Sequence, residues 1–253
     1  MDPKEQFDRQ AKHYSSSKTF SSGQGLKILT NLLKGRKFNN GLDIGTGAGF
    51  TAFELSNVCR NVEATDISDG MIIEAKKIMK ERKIKNLNFN LMPAENLNFN
   101  NENFDIITCR TAAHHFTDVI KFCNESNRVL KKESEAIIID TITSDQKKLN
   151  EWHQKVELIR DNSHKKNLSL IEWKKVFGET NFKILDIIQS RVEMNLSDWM
   201  ERSGTLDEDK AILRKKFLES GDKLKEFFGI KLKENNDISF FWPVGIFHLK
   251  KLN

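Results

Sequence analysis

The stretch Gly41-Leu42-Asp43-Ile44-Gly45-Thr46-Gly47-Ala48-Gly49-Phe50 decides the fold. An apolar strand end, a carboxylate and three alternate glycines run directly into a helical pattern that begins near Thr51. Because glycine has no Cβ and tolerates left-handed backbone angles, such a turn lets the main chain approach a ligand closely. The helix that follows offers backbone N–H groups at its first turn. We therefore predict that a cofactor binds at this turn.

A second carboxylate indicates the class of cofactor. Asp66 ends the next apolar strand, about twenty residues beyond Gly45, where nucleotide-binding βαβ units carry the acid that binds ribose. An adenosine-containing cofactor is the first inference. Dinucleotide-binding loops read G-x-G-x-x-G, whereas this loop reads G-x-G-x-G and has Phe50 in place of the last glycine. No G-K-[ST] follows, which excludes a P-loop.

The composition is that of a globular protein. A chain of 253 residues fits one large domain or a domain with a lid, so we expect a single domain over residues 1–253. No apolar run is long enough to span a bilayer, and the N-terminus lacks a signal-peptide core, so we expect a cytoplasmic protein. The cysteines Cys59, Cys109 and Cys123 lack C-x-x-C spacing, and we interpret them as reduced packing residues.

Short apolar runs alternate with helical periodicity from residue 41 onward, which is typical of a parallel sheet covered on both faces. Thr117 is placed to cap the helix after the fourth strand. We expect the last strand to be antiparallel because no helix-length connection directly precedes it, with Pro243 at a bulge or an edge position. The predicted strands cover residues 41–44, 62–67, 87–92, 104–109, 136–141, 182–190 and 238–249.

Three segments lie outside this alternation. Residues 1–22 are charged and serine-rich, and we predict a loosely folded arm there. Residues 144–181 and 195–236 have helical patterns and many aromatic residues, and we interpret them as lid segments. Aromatic residues at helical spacing also fit a packed core, so both readings stay open for them. The aromatic residues concerned are Trp152, Trp173, Trp199, Phe217, Phe227 and Phe228.

These motifs resemble those of the class I S-adenosylmethionine-dependent methyltransferases, closest to the small-molecule branch that includes the ubiquinone/menaquinone C-methyltransferases. The resemblance extends over nearly the whole chain and rests on residues 42–49, 66–71, 94–99, 104–107 and 128–131. It implies a Rossmann-like α/β fold: a seven-stranded, mostly parallel sheet with an antiparallel last strand, helices on both faces and helical lid insertions. It also implies S-adenosylmethionine as methyl donor, S-adenosylhomocysteine as product and a small-molecule acceptor.

The same resemblance implies roles for individual residues. The methionine part of the cofactor would face the loop residues Gly45, Thr46, Gly47 and Gly49, with Asp43 behind them and Arg110 beneath the methionyl group. The ribose would be held by Asp66. The adenine would pack on Ile67 and Met71, with Ala94 and Glu95 at its edge. Tyr14 bonds the cofactor carboxylate or closes over the substrate. Pro93 stands where many relatives have a polar residue that bonds the adenine amino group, which leaves that contact open.

Methyl transfer from a sulfonium mainly requires alignment and exclusion of water, but some acceptors also need a base. Histidine suits this task because its ordinary pKa is near neutrality. The candidates by position are His114 and His115 after the fourth strand, His164 in the first lid segment and Tyr14 in the arm. A packing or capping role stays open for each of them.

Other functions are less well supported. The net charge of +5 is spread over the chain, and residues 109–112 lack the Asn-Pro-Pro-Tyr and Pro-Cys motifs of enzymes that methylate nucleic acids, so no nucleic-acid partner is expected. A protein that binds S-adenosylmethionine as a sensor or scaffold without catalysis is the alternative. A nicotinamide-dependent dehydrogenase is disfavoured by Phe50 and by the closing strand. We expect a monomer or a homodimer and no metal site.

Overall fold

A single twisted sheet organises the molecule. The structure, a computed structural model, describes residues 3–16 and 21–252, with side chains from Lys4 to Ala11 and from residue 21 onward. The strands are β1 (Phe38–Ile44), β2 (Cys59–Asp66), β3 (Leu87–Leu91), β4 (Phe104–Arg110), β5 (Leu130–Thr141), β6 (Phe182–Asn195), β7 (Lys231–Leu232) and β8 (Ile238–Lys251).

The strand order is β3-β2-β1-β4-β5-β8-β6, and β7 pairs with the start of β8. Strands β1 to β5 pair in parallel, whereas β8 lies antiparallel between β5 and β6. The predicted Rossmann-like sheet with seven strands, mostly parallel and with an antiparallel last strand, is therefore confirmed. The structure adds only the two-residue strand β7.

Helices cover both faces of the sheet, as predicted. The helices are α1 (Pro3–Ser16), α2 (Gln24–Leu33), α3 (Phe50–Ser56), α4 (Asp69–Glu81), α5 (Val119–Val129), α6 (Lys147–Arg160), α7 (Leu170–Glu179), α8 (Leu196–Arg202), α9 (Asp207–Leu218) and α10 (Asp222–Phe228). Helices α2 and α3 pack on one face of the sheet, and their buried residues, among them Leu29 and Phe53, form a hydrophobic core there. Helices α5 and α7 pack on the other face through Phe122 and Trp173.

A third core lies where β6 and β8 extend beyond their neighbours. Helices α6, α8, α9 and α10 pack there around Trp199, Phe217, Phe228 and Trp242, which are all buried. The aromatic residues of the segments 144–181 and 195–236 are thus largely core residues, which decides between the two readings of their spacing. Helices α6 and α8 also border the site described below, because Arg160 and Trp199 line a cavity there.

Helix α1 bridges two distant parts of the fold. The carboxylate of Asp8 accepts hydrogen bonds from Ser68 Oγ at 2.6 Å and from the backbone N–H of Gly70 at 2.9 Å, at the first turn of α4. The side-chain amides of Gln6 and Gln10 donate to the carbonyl of Ser203, just after α8. The prediction of a loosely folded arm was therefore wrong for residues 3–16, which form a helix whose Gln6, Asp8 and Gln10 side chains have specific partners on the body of the protein.

One local prediction needs correction. Asp118, not Thr117, caps α5, since its carboxylate accepts the backbone N–H of Lys121 at 2.9 Å. The backbone N–H of Thr117 instead donates to Glu95 at 2.8 Å. The edge position predicted for Pro243 holds locally: β8 is an interior strand, but β5 stops pairing with it at Val244, so Pro243 pairs with Arg191 of β6 and lies past the end of the β5 ladder.

Candidate functional site

The carboxyl ends of β1, β2 and β4 meet at one edge of the sheet, where the strand order reverses and α/β proteins bind their ligands. A cavity of about 250 Å³ opens there. We call it the glycine-loop cavity. Most of the predicted cofactor residues line it: Gly45, Thr46, Gly47, Asp66, Ile67, Met71, Ala94, Glu95 and Arg110. The topology thus collects in one space residues that are up to 65 positions apart in the chain.

The glycines of the loop are required by backbone geometry. Gly45 has φ +64°, and a Cβ atom there would lie 2.6 Å from the Cβ of Ala112. Gly49 has φ +88° and begins α3, where a Cβ would lie 2.8 Å from the ring of Phe53. Left-handed angles favour glycine, and both contacts are shorter than atoms tolerate. Gly49 shapes the turn without lining the cavity.

Asp66 is the best-placed acceptor of this cavity. Its two carboxylate oxygens accept the backbone N–H groups of Gly47 at 2.8 Å and Ser68 at 2.9 Å, and the residue is 9% exposed. Burial raises the pKa of Asp66, whereas these backbone hydrogen bonds lower it. Each carboxylate oxygen still has a lone pair for a further donor. The arrangement can therefore accept two neighbouring hydroxyl groups.

Asp43 and Arg110 lie at the opposite end of the glycine loop. Asp43 is buried behind the loop and does not line the cavity, and its carboxylate accepts a hydrogen bond from Thr108 Oγ1 at 2.7 Å. Burial raises the pKa of Asp43 to about 6. Arg110 donates from Nε to Thr51 Oγ1 at 2.9 Å, and burial lowers its pKa to about 10 while Asp43 opposes that shift. Arg110 therefore places a cationic group in the cavity wall.

The remaining wall of the glycine-loop cavity is mostly apolar. Ile67, Met71 and Ala94 form a slot next to Pro93. Glu95 closes its end, with one carboxylate oxygen accepting the backbone N–H of Thr117 at 2.8 Å. A flat apolar group fits such a slot, since apolar contact needs no directed bonds.

A second cavity of about 110 Å³ adjoins the first. We call it the histidine cavity. Phe7, Arg110, Thr111 and His115 line both cavities, so the two spaces share a wall. The functional side chains that line only the histidine cavity come from distant parts of the chain: His114, Glu157, Arg160, Trp199, Arg202 and Trp242.

His114 and Asp140 form a buried pair on this wall. The Nδ1 atom of His114 lies 2.5 Å from Asp140 Oδ1, and the backbone N–H of His114 donates to Asp140 Oδ2 at 2.9 Å. Among the residues that the structure describes, Nε2 of His114 forms no hydrogen bond. Burial alone would lower the pKa of His114, but Asp140, through its charge and its hydrogen bond, helps to raise it. The pair therefore holds a basic nitrogen beside the histidine cavity.

The other nearby histidines are weak bases. Burial and the charge of His114 lower the pKa of His115 to about 3. The rings of Phe7 and His115 pack edge to face, with their centres 4.8 Å apart. His164 is 4% exposed, lines neither cavity and bonds Gln154 through Nε2 at 3.1 Å. Burial lowers its pKa to about 2. Of the three candidate histidines, His114 and His115 lie on a cavity wall, and only the pKa of His114 is raised.

The sequence analysis missed the partner of His114 and several residues that line the histidine cavity. Asp140 stands at the carboxyl end of β5, and a lone carboxylate in a β-branched run was the available signal. Thr111, directly after β4, has φ +56°, which is rare for a β-branched residue and is found at functional sites. Arg160 stands in the stretch 160–164, which is similar to the methyltransferase branch but gave no role for this side chain, and Arg202 carries no local motif. The prediction for Tyr14 falls on a side chain outside the described residues.

Comparison with known proteins identifies the family. The model of a methyltransferase-domain family matches residues 42–138. YcgJ, an uncharacterised methyltransferase of Bacillus subtilis (strain 168), is 33% identical over 236 residues, which are 92% of this chain and 93% of YcgJ. The chain belongs to the S-adenosylmethionine-dependent methyltransferases. The crystal structure of YcgJ superposes on this methyltransferase with a TM-score of 0.86, covering 90% of this chain and 98% of YcgJ at 30% identity.

Two further proteins resemble this methyltransferase. Protein BH2331 of Bacillus halodurans C-125 shares its fold, with a TM-score of 0.87 at 24% identity, over 91% of this chain and all of BH2331. The ubiquinone/menaquinone biosynthesis C-methyltransferase of Zymomonas mobilis is 37% identical over 90 residues, which are 36% of this chain and 37% of that enzyme. The predicted resemblance to methyltransferases is therefore confirmed.

Other possible sites of this methyltransferase carry less chemistry. An open cleft of about 640 Å³ lies at the amino ends of the strands, between residues 36–39, 57–60 and 133–135, away from the glycine loop. Within residues 3–16 and 21–252 no helix is long and apolar enough to cross a membrane. Over the same residues, no cluster of three His, Cys, Asp or Glu side chains is arranged to hold a metal ion. The three cysteines are buried and free.

Proposed function

We propose that this enzyme binds S-adenosylmethionine in the glycine-loop cavity and methylates a small acceptor in the histidine cavity, with His114 as the base. The observation that carries the proposal is the His114–Asp140 pair on the wall of a cavity that adjoins the glycine loop. When bound, S-adenosylmethionine supplies a methyl group on a positively charged sulfur, whose loss leaves the neutral thioether S-adenosylhomocysteine.

The residues of the glycine-loop cavity fit this cofactor. Asp66 offers two partly free carboxylate oxygens, which suits a pair of ribose hydroxyls. The apolar slot between Ile67, Met71 and Ala94 suits a flat adenine ring. At the other end Arg110 and Thr51 offer polar groups for an amino-acid moiety. The cavity thus offers suitable groups for the adenine, the ribose and the methionine of the cofactor.

His114 supplies the proton acceptor. Its Nδ1 atom faces the Asp140 carboxylate, so Nδ1 carries the proton and Nε2 has its lone pair available. As the acceptor attacks the methyl donor, Nε2 would take the proton that the acceptor's hydroxyl, amine or acidic C–H group loses, and would become positively charged. Asp140 stabilises that charge and holds the ring in place. A packing histidine would need neither the carboxylate nor the cavity.

Enclosure supports a small acceptor. Phe7 of α1, Arg160 of α6 and Trp199 of α8 line the histidine cavity, so all three segments predicted as arm and lids contribute to its wall. A cavity of about 110 Å³ accepts a body of roughly one aromatic ring, since an engineered cavity of about 150 Å³ holds benzene. We propose that residues 1–253 act as one methyltransferase domain and that these segments exclude water during the reaction.

The experiment is a turnover assay on the full chain. The protein is incubated with S-adenosylmethionine and a panel of small phenols, amines and enolic acids, and S-adenosylhomocysteine is measured by mass spectrometry. We expect product with at least one acceptor and a strong loss of product for His114→Ala. His248→Ala is the matched control, because His248 pairs with Glu135 on the sheet and lines neither cavity.

Two results would contradict the proposal. Turnover that is equal in the wild type and His114→Ala would show that His114 is not the base. A protein that binds S-adenosylhomocysteine but turns over no acceptor, in the panel or in a metabolite extract, would favour the sensor or scaffold alternative. The cytoplasmic location and the monomeric or dimeric state stay predictions.

A further inference from the structure

We propose that the acceptor carries a carboxylate or phosphate group, and that Arg160 and Arg202 hold this anion in the histidine cavity. The inference rests on the proposed methyl transfer, since it names the class of acceptor for the same site.

The charges on the cavity wall point to an anion. Four arginines line the histidine cavity, namely Arg110, Arg160, Arg191 and Arg202, against the single carboxylate of Glu157. The formal charge of these side chains is therefore three units positive. Burial also raises the pKa of Glu157, which weakens the opposing charge. A cavity with low-dielectric walls and one sign of charge concentrates ligands of the opposite sign.

Arg160 and Arg202 are the two arginines buried on the acceptor side. Each side chain is only 10% exposed. Arg160 donates from Nε to the carbonyl of Trp199 at 3.0 Å, and its guanidinium lies 5.0 Å from the centre of the Trp199 ring. Arg202 lies 3.0 Å from Asp198, whose side chain is 61% exposed and therefore strongly hydrated. Burying a guanidinium is costly, and an anionic ligand in the cavity offsets that cost.

The other two arginines are less suited to this role. Arg110 borders both cavities and bonds Thr51 beside the glycine loop, so it belongs to the cofactor end. The Arg191 side chain is 60% exposed and pairs with Glu193 at 2.9 Å. Both buried arginines have a carboxylate neighbour: Glu157, which is buried, lies 3.6 Å from Arg160, and Asp198, which is 61% exposed, lies 3.0 Å from Arg202. Because water screens the exposed Asp198 more strongly, we expect Arg202 to be the stronger anion ligand of the two. A planar guanidinium binds carboxylate and phosphate with two parallel hydrogen bonds.

Aromatic residues complete the recognition surface. Phe7, Trp199 and Trp242 line the same cavity, and the two tryptophans are 2% exposed. Together with a space of about 110 Å³, they suit a single ring or a body of similar size. The ring would lie against the aromatic wall, its anion on Arg202 and Arg160, and its acidic group towards His114.

The test is binding of matched ring compounds to the full chain loaded with S-adenosylhomocysteine. The probes are 4-hydroxybenzoate and its neutral analogue 4-hydroxybenzamide, with phenyl phosphate as the second anion, and calorimetry measures each Kd. We expect at least one anion to bind about tenfold tighter than the amide, because the charged group gains paired hydrogen bonds. The anion with the lower Kd shows whether the cavity prefers a carboxylate or a phosphate group.

Variants locate the anion on the wall. Arg202→Met should weaken binding of the anion about tenfold and leave the affinity for the amide unchanged. Arg160→Met should weaken binding of the anion by a smaller factor. Arg202→Lys should retain part of the preference, which guards against a misfolded Met variant. Arg60→Met is the matched control, because it removes the same charge at the opposite edge of the sheet.

Three results would overturn the inference. They are equal affinity for the anions and the amide, no saturable binding of either anion, and a loss of anion affinity in Arg60→Met as large as that in Arg202→Met. Failure of the proposed function gives a different outcome. If S-adenosylhomocysteine does not bind, the proposed cofactor site fails, and the same titrations on the free protein still measure the anion preference.

Discussion

The two cavities of this methyltransferase are built in different ways. Apart from Phe7, the wall of the glycine-loop cavity comes from residues 45–117, which are the consecutive βα turns at the carboxyl edge of the sheet. The wall of the histidine cavity comes from Phe7 to Val244, nearly the whole chain. The first is local turn chemistry that a motif reveals, whereas the second exists only once the topology has brought distant elements together.

The two cavities also differ in what holds them. Backbone angles and backbone N–H groups shape the glycine loop, as at Gly45 and in the hydrogen bonds to Asp66. Buried side-chain pairs shape the histidine cavity, above all His114 with Asp140. We therefore expect the structure of the glycine-loop cavity to depend on backbone conformation, and the activity of the histidine cavity to depend on the protonation of His114.

Removing the base should have the largest effect. His114→Ala deletes the proposed base, and general-base catalysis contributes about 10²- to 10⁴-fold, so we expect kcat to fall by that factor. The measurement is S-adenosylhomocysteine formation with the best acceptor found. His164→Gln, a change in a histidine that lines neither cavity, should cost less than about tenfold. A greater loss in His164→Gln than in His114→Ala would reverse the assignment.

A change in the glycine loop should act on stability. Gly45→Ala places a Cβ 2.6 Å from Ala112 at a positive φ, so we expect unfolding free energy to fall by about 1–3 kcal/mol. Urea denaturation measures it. Gly178→Ala is the matched control: Gly178 lies in α7, and a Cβ there meets nothing within 4 Å, so a gain of about 0.5 kcal/mol is expected. Equal effects of the two changes would contradict the backbone account.

Neutralising the partner of the base should shift the pH profile. A neutral His114 is the active form, so the rate falls as pH falls through its pKa. The Asp140 charge helps to hold that pKa above its ordinary value. In Asp140→Asn the charge is lost and the rate midpoint should move to lower pH by about one unit. A pH–rate profile measures the shift, and an unchanged midpoint would show that Asp140 does not act through His114.

Much of the fold was predictable because its signals are local. Alternating apolar runs placed seven strands, and the three alternate glycines with Asp66 placed the ligand edge. Boundaries were less exact: Asp118 caps α5 where Thr117 was expected, since both residues can cap and only the turn geometry separates them. Residues 3–16 form a helix because Asp8 and its neighbours bond partners some sixty or more residues away.

The histidine cavity was only partly predictable. His114 followed from its place after the fourth strand, but the alternative that it merely packs could not be settled without its partner. Asp140 is 26 residues away and meets His114 because β4 and β5 pair in parallel. Arg160 and Arg202 reach the cavity from helices whose docking depends on the third core. No spacing in the sequence encodes such contacts.

The division of labour between the two cavities is tested most directly by calorimetric titration of S-adenosylhomocysteine into the wild type, Asp66→Ala and His114→Ala. Asp66→Ala should weaken binding about 100-fold, because a buried acceptor for two hydroxyls is lost, and His114→Ala should stay within about threefold of the wild type. Equal losses in both variants, or wild-type affinity in Asp66→Ala, would contradict the account.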